Sequence, residues 1–533
     1  MKINLQGILD RKQWEAKGYQ LPQYDIAQMQ KATRENPLWV HFGAGNLFRA
    51  FHASIAQKML DDGKLDRGII VAEGFDYEII EKVYMPHDNL GISVTLKADG
   101  TVDKKVIGSI AEALPLDSDN GSAYARLREI FEKDSLQMVT FTITEKGYSL
   151  TDAKGNYLPE VMTDFANGPE KPVSYMGKVT ALLYARFCAG GKPIAMVSTD
   201  NCAHNGDRLY AAVSAFAKAW VKNERADAGF SEYIDSGKVS FTWSMIDKIT
   251  PRPDAAAEEI LEKDGVEECE PVITSRKTYA APFVNAEETE YLVIEDNFPN
   301  GRPCLEDAGV LLTDRETVDK VEKMKVCTCL NPLHTCLAVF GCLLGYQKIA
   351  DEMNDKALVK LVERVGYQEG LPVVVNPEIL DPREFIDTVL NVRFPNPFMP
   401  DTPQRIATDT SQKLAIRFGE TIKAYETSDR LKVEDLQMIP LVYAGWLRYL
   451  MAVDDEGEPF EPSPDPMLEE LRARLKKIRL GDRDVEAILK PIMENVQIFG
   501  VNLYKAGLAK KVCGYFRELN AGQGAVRRTL DKL

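Results

Sequence analysis

The sequence predicts an α/β Rossmann-like N-terminal domain followed by a mostly α-helical C-terminal domain. Two patterns carry that prediction. In the first half, short β-rich runs alternate with helical patterns, the order that βαβ units and a largely parallel sheet require. Beyond roughly residue 305, strand-like alternation becomes rare and helical periodicity takes over. The expected domains are therefore 1–305 and 306–533.

The elements follow in order. Trp39-Val40-His41-Phe42 reads as a strand, then a glycine-containing loop, then a helix over 51–60. The next strand is 68–72, and further strand-like runs cover 92–96, 138–144 and 193–198. The second half carries helical periodicity in 306–350, 351–366, 404–427, 435–452, 466–479 and 483–495. Proline-rich connectors at 393–400 and 458–466 punctuate those helices.

Composition narrows the function classes. The 533 residues include 81 acidic and 65 basic side chains, a net charge of −16. That field repels nucleic acid and anionic membranes overall, while leaving room for a local basic pocket. No apolar run approaches the ~18 residues that span a bilayer, and the N-terminus lacks a signal-peptide core. Nine scattered cysteines without a disulfide framework fit a reducing compartment. A cytoplasmic location is expected.

Gly43-Ala-Gly45-Asn46-Leu-Phe48-Arg49 follows the first strand. In a βα nucleotide site the first glycine permits a tight turn and the second lets backbone approach a pyrophosphate at a helix N-terminus. Gly43 and Gly45 fill those places, but the third glycine of the fingerprint falls at Phe48. Taken alone, the loop equally reads as a plain strand-to-helix turn. Arg49 could meet a phosphate, and a carboxylate after the next strand, Glu73 or Asp76, could hold the adenosine ribose. Such a carboxylate favours NAD over NADP.

A second cluster lies at Lys325-Val-Cys-Thr-Cys-Leu-Asn331-Pro-Leu-His334-Thr335, in a chain with only five histidines. Oxidising a secondary alcohol needs a base for the hydroxyl proton, donors for the developing alkoxide, and a hydride acceptor. A buried lysine can be the base, asparagine amides the donors, and histidine an orienting group, with no metal required. Each residue alone has a plain alternative: a surface lysine, a core histidine, a helix cap. Cys327, Cys329, His334 and Cys336 lack the usual zinc spacing and read as small core residues.

Several motifs in one order point further. His41 to Ala50, Thr142-Ile-Thr-Glu-Lys-Gly-Tyr148, Ser198-Thr-Asp-Asn201 and Met245-Ile-Asp247-Lys-Ile-Thr-Pro251 are followed by Phe298 to Pro303. Glu322-Lys-Met-Lys325, Asn331 to Thr335 and Arg405 to Lys413 complete the series. With these the chain resembles the polyol-specific long-chain dehydrogenase/reductase family, which contains mannitol dehydrogenases and fructuronate and tagaturonate reductases. The resemblance implies Lys325 as general base, Asn201 and Asn331 on the reacting oxygen, and His334 holding a neighbouring hydroxyl. It implies Glu322 as a proton relay, Asp247, Arg405 and Lys413 on the rest of the substrate, and NAD as cofactor.

One departure bears on the geometry. The family usually places five steps between lysine and asparagine, whereas Lys325 to Asn331 is six. Either a π-bulge absorbs the extra residue, or Lys325 precedes the regular helix, or Lys323 substitutes. Arg393, Arg405 and Lys413 could supply a cationic pocket for a carboxylate. The Asn-Pro-Leu-His-Thr run is closer to the hexuronate-pathway reductases, so the expected substrate pair is D-mannonate and D-fructuronate. D-mannitol and D-tagaturonate are the alternatives, and a non-catalytic dinucleotide sensor is the alternative of another class. Neither nucleic acid nor membrane is an expected partner, and a monomer or weak homo-oligomer is expected.

Overall fold

The computed structural model describes residues 1–533. The chain divides into two compact units, Met1–Asp319 and Lys320–Leu533.

Six parallel strands organise the first unit: β1 (Trp39–Phe42), β2 (Ile69–Glu73), β3 (Ile110–Pro115), β4 (Met138–Phe141), β5 (Ile194–Ser198) and β6 (Val239–Thr242). Their order is β3-β2-β1-β4-β5-β6, with every neighbouring pair parallel. The strands read as apolar runs because helices cover both faces of the sheet. Alternate residues still go to opposite sides. Val40, Phe42, Val139 and Phe141 join one core, with α2 (Gly121–Glu132), α3 (Tyr175–Cys188) and α4 (Asn205–Lys222). Trp39, Ile69, Val71 and Met138 join the other, with α1 (Ala53–Asp61). The strand order reverses between β1 and β4, and ligands of open α/β sheets bind at the carboxyl ends of the strands flanking such a reversal.

Three expectations need correction. The run 92–96 is a strand, but it pairs antiparallel with Val102–Ile107 in a separate four-stranded sheet. β4 ends at Phe141, because Ile143 and Thr144 give their N–H groups to the Asp200 carboxylate at 3.0 and 2.8 Å and turn the chain. Residues after 305 do not begin the helical unit: Leu311–Thr313 pairs parallel with Tyr291–Glu295 and stays in the first unit. The division therefore falls inside α5 (Arg315–Met324).

The second unit contains helices and no named strand. α6 (Asn331–Leu344) is buried along nearly its whole length and stops at Gly345, whose φ of 79° suits a glycine. It packs against α7 (Met438–Tyr449), in which all residues are buried, and α7 packs on α8 (Ala509–Leu519). An 18-residue window within the helical run 315–344 has a mean hydropathy of 1.6, enough by length and composition to cross a membrane, contrary to the expectation from charge-broken runs. That window is 78 % buried, as a core helix is.

Glu352 is fully buried in this unit with no hydrogen-bond partner on either carboxylate oxygen. It fits only because α6 carries Gly341 opposite it: a Cβ there would lie 2.2 Å from Oε1. Burial, reinforced by Asp355 and Asp351, holds its pKa well above the ordinary value of 4.5. The folded state thus binds this proton more tightly than the unfolded state does. Its stability contribution is complete below pH 4.5 and is lost as pH rises toward the folded pKa. Across pH 5 to 8 in thermal melts, the wild-type Tm should fall relative to that of Glu352→Gln as pH rises. Identical slopes would mean that Glu352 does not titrate in the fold.

Candidate active site

In the first unit, Gly43 leaves β1 with φ 107°, its N–H donating to Ala72 O at 2.9 Å. A Cβ at Gly43 would sit 2.3 Å from Thr142 O, so the absence of a side chain lets the chain leave β1 directly beside the end of β4. Nothing lies within 4 Å of a Cβ at Gly45. That open space belongs to two clefts of about 520 and 280 Å³, both lined by Gly45 and Thr142. The larger also carries Glu73 and an apolar end with Phe75, Ile143, Leu158, Val161, Tyr175 and Met176. Glycines without Cβ atoms, open backbone and an apolar pocket would suit a dinucleotide, with phosphates at Gly45 and the adenine ring at the apolar end.

Glu73 and Asp76 separate clearly. Glu73 Oε2 accepts the Ala44 N–H at 2.8 Å, and Oε1 accepts those of Phe75 and Asp76 at 2.7 and 3.0 Å. An ionised carboxylate offers about four acceptor sites, which leaves one for a ribose hydroxyl. Asp76 is buried, takes the Thr274 hydroxyl and is absent from the cleft lining. Phe48 is also misplaced by the motif: it is fully buried and stacks on His41 at 4.4 Å. Arg49 lines the smaller cleft, but its guanidinium is buried and tied to Ala281 O at 2.6 Å and Asn46 Oδ1 at 3.0 Å. Asn46 in turn donates to Pro251 O. Arg49 and Asn46 therefore brace the loop. Their helix opens with a π-helical turn, Phe48–His52, which carries both Phe48 and Arg49 into the interior.

Thr142 is one further cleft residue that the motif reading missed. His41 bridges Thr140 and Thr142, with Nδ1 2.6 Å from one hydroxyl and Nε2 2.8 Å from the other. Burial pushes the His41 pKa well below its usual value, so the ring is neutral. Asn201 is exposed just after β5, while Asp247 is buried at the end of strand Ser244–Asp247.

In the second unit the Lys/Asn/His segment is not one regular helix. Lys325–Cys329 is a π-helical turn between α5 and α6, and the Leu330 N–H reaches back five residues to Lys325 O at 3.1 Å. The extra residue is absorbed there. Lys325 is only 4 % exposed, whereas Lys323 is exposed, and Glu322 lies one turn before Lys325 on α5. Asn331 opens α6, with Pro332 in its first turn, where a missing N–H costs nothing. Cys329 and Cys336 are buried, and burial raises both thiol pKa values. No group of three or more His, Cys, Asp or Glu is arranged to hold a metal ion.

His334, one turn into α6, packs on Phe394 at 4.9 Å and lies 3.5 Å from Asp401. Burial lowers its pKa well below the usual value, and Arg393, Arg417, Arg405 and Lys413 add to that effect. Four cations thus act on the imidazole and favour its neutral form. Arg405 pairs with Asp401, and Lys413 gives its ammonium to Thr408 O. Arg393 is buried at the end of another π turn, Val389–Arg393, and Arg417 belongs to a further one, Ala415–Gly419. Arg417 and Asp401 were not foreseen. For Arg417 a signal existed, since it stands four residues after Lys413 and so on the same helical face.

Residues 38–307 match the family model described as the Mannitol dehydrogenase Rossmann domain, and residues 317–518 match the Mannitol dehydrogenase C-terminal domain. The chain belongs to the mannitol dehydrogenase family. Within this family it is 54 % identical to a D-mannonate oxidoreductase of Thermotoga maritima, over all of this chain and 99 % of that protein. A Polyol:NADP oxidoreductase of Gluconobacter oxydans is 30 % identical over 88 % of this chain and 90 % of the relative. Among solved structures, a substrate-free D-sorbitol dehydrogenase aligns with a TM-score of 0.78 and 26 % identity, over 96 % of this chain and 97 % of that one. Pseudomonas fluorescens mannitol 2-dehydrogenase, in a ternary complex with NAD and D-mannitol, aligns along the full length of both chains. Its TM-score is 0.70 and its identity 26 %. The mannitol dehydrogenase family relationship thus extends across both units.

Proposed function

We propose that this member of the mannitol dehydrogenase family is an NAD-dependent oxidoreductase interconverting D-mannonate and D-fructuronate. The observation that carries the choice of substrate is the set of four cations, Arg393, Arg405, Lys413 and Arg417, around His334. The positive field of such a set attracts the carboxylate of a sugar acid and has no comparable charge to act on in a neutral polyol. The 54 % identity to a D-mannonate oxidoreductase supports the same substrate.

Gly43, Gly45 and Glu73 would hold NAD, which when bound supplies the hydride acceptor. In the oxidation, the carbinol carbon loses its hydrogen with the bonding electron pair, and the hydroxyl proton passes to Lys325 Nζ. Asn331 donates its amide to the oxygen as it becomes a carbonyl, and Glu322 relays the proton from Lys325 to water. Neutral His334 holds an adjacent hydroxyl. Asn201 and Asp247 keep the roles that the resemblance implies. A single preceding carboxylate such as Glu73 disfavours a 2′-phosphate, which sets NAD above NADP here.

The test is NADH oxidation by purified protein with D-fructuronate, D-tagaturonate or D-fructose. D-Fructuronate should give the highest kcat/KM, with NADH preferred to NADPH and no loss of rate after EDTA treatment. A preference for D-fructose would sink the sugar-acid assignment. Tight NADH binding without turnover of any of the three would mean a dinucleotide sensor instead.

A further inference from the structure

Arg417 stands in the turn Ala415–Gly419, which packs against the turn carrying Lys325. Its Nη1 donates to Thr335 Oγ1 at 2.6 Å, and that hydroxyl donates to Asn331 O at 2.9 Å. The guanidinium is therefore tied to the first turn of α6, where Asn331 and His334 also lie.

What distinguishes Arg417 is its lack of a countercharge. Arg405 has Asp401, Lys413 has Thr408 O with Asp409 and Asp465 nearby, and Arg393 has partners of its own. Arg417 makes one hydrogen bond, to a neutral hydroxyl, although a guanidinium presents five N–H donors. Burial alone, with no opposing carboxylate, pulls its pKa down to about 10. Even a partly desolvated cation without an anion is costly to keep. The arrangement makes sense when an anionic ligand completes it, and a planar fork matches a carboxylate with two parallel bonds.

We infer that Arg417 receives the carboxylate of the sugar acid and is the residue that separates sugar acids from neutral polyols in this enzyme. The inference rests on the functional reading above and adds a specificity-determining residue to it.

Binding to the NADH complex isolates the point, because D-mannonate and D-mannitol are both reduced and neither can react there. Titration calorimetry on the wild type should show D-mannonate binding more tightly than D-mannitol by about 100-fold, the range of a charge-assisted bond. Arg417→Gln should abolish most of that preference by weakening D-mannonate alone, with NADH affinity and Tm unchanged. Arg417→Lys should restore part of it. Thr335→Val, which keeps the charge but removes the hydroxyl that aims it, should weaken D-mannonate by about tenfold and spare D-mannitol. If Arg417→Gln keeps the wild-type preference, or weakens both ligands equally, Arg417 is a structural cation and the inference falls. A wild-type protein without any preference overturns the functional reading itself, and the inference with it.

Discussion

Replacing Lys325 with alanine is expected to lower kcat for D-fructuronate reduction by about 10²–10⁴-fold, the usual contribution of a positioned acid or base. NADH affinity should stay within about twofold of wild type, since the residues expected to hold the cofactor, Gly43, Gly45 and Glu73, belong to the first unit. The expectation rests on the turn at Lys325–Cys329. On an uninterrupted α-helix, six steps from Lys325 to Asn331 would rotate the lysine about 100° beyond the five-step family spacing. A bond from Leu330 back to Lys325 instead closes over five residues, so the same turn takes in one residue more. The lysine is thereby returned to the rotation that a five-step spacing gives on a regular helix. Its burial contrasts with the exposure of Lys323, and Lys323→Ala should change kcat less than about threefold. Stopped-flow single turnovers separate the chemical step from product release, and added primary amines should partly restore the Lys325→Ala rate. A mild effect at Lys325 with a severe one at Lys323 would reassign the base.

That turn also shows where sequence reasoning reached and where it stopped. The spacing anomaly was legible, and a π-bulge was among the three ways to resolve it. Strands β1, β2, β4 and β5 were legible as well, because burial on both faces makes each a continuous apolar run. Leu311–Thr313 was not, since three residues carry too little periodicity to compete with the helical pattern around them. Motif spacing placed Phe48 and Arg49 at a cofactor, yet a motif fixes backbone order and not the direction of side chains. A π turn at Phe48–His52 directs both inward. Asp76 failed for a similar reason: two acids near one strand end look alike until Thr274 claims one of them. The spacing from Lys413 could have drawn attention to Arg417, but its lack of a countercharge is a property of packing that no local pattern encodes. Arg49, Lys325, Arg393 and Arg417 each lie in a π turn. An inserted residue rotates the following side chains relative to a regular helix, which is a direct way to aim them.

The second large effect is expected at Gly43. Gly43→Ala places a methyl 2.3 Å from a backbone oxygen, Thr142 O, at a φ of 107° that an L side chain adopts only under strain. Strain of this kind costs about 1–3 kcal/mol before any clash is counted. The oxygen cannot retreat cheaply, because β1 and β4 are locked in register from Trp39–Met138 to Phe42–Phe141 and the Thr142 N–H is held by Phe42 O at 2.9 Å. The variant should lose at least about 3 kcal/mol, several degrees of Tm for a unit of this size, together with NADH binding. Gly45→Ala is the informative contrast. No protein atom lies within 4 Å of the added methyl, so Tm should be unchanged. The methyl instead occupies the open backbone that the phosphates must approach, and NADH affinity should drop by tenfold or more, about 1.4 kcal/mol. Differential scanning calorimetry and NADH fluorescence titration on the two variants read these effects separately. Wild-type stability in Gly43→Ala would refute the close passage of the loop beside Thr142. Wild-type NADH affinity in Gly45→Ala would mean that the pyrophosphate takes another path across the ends of β1 and β4.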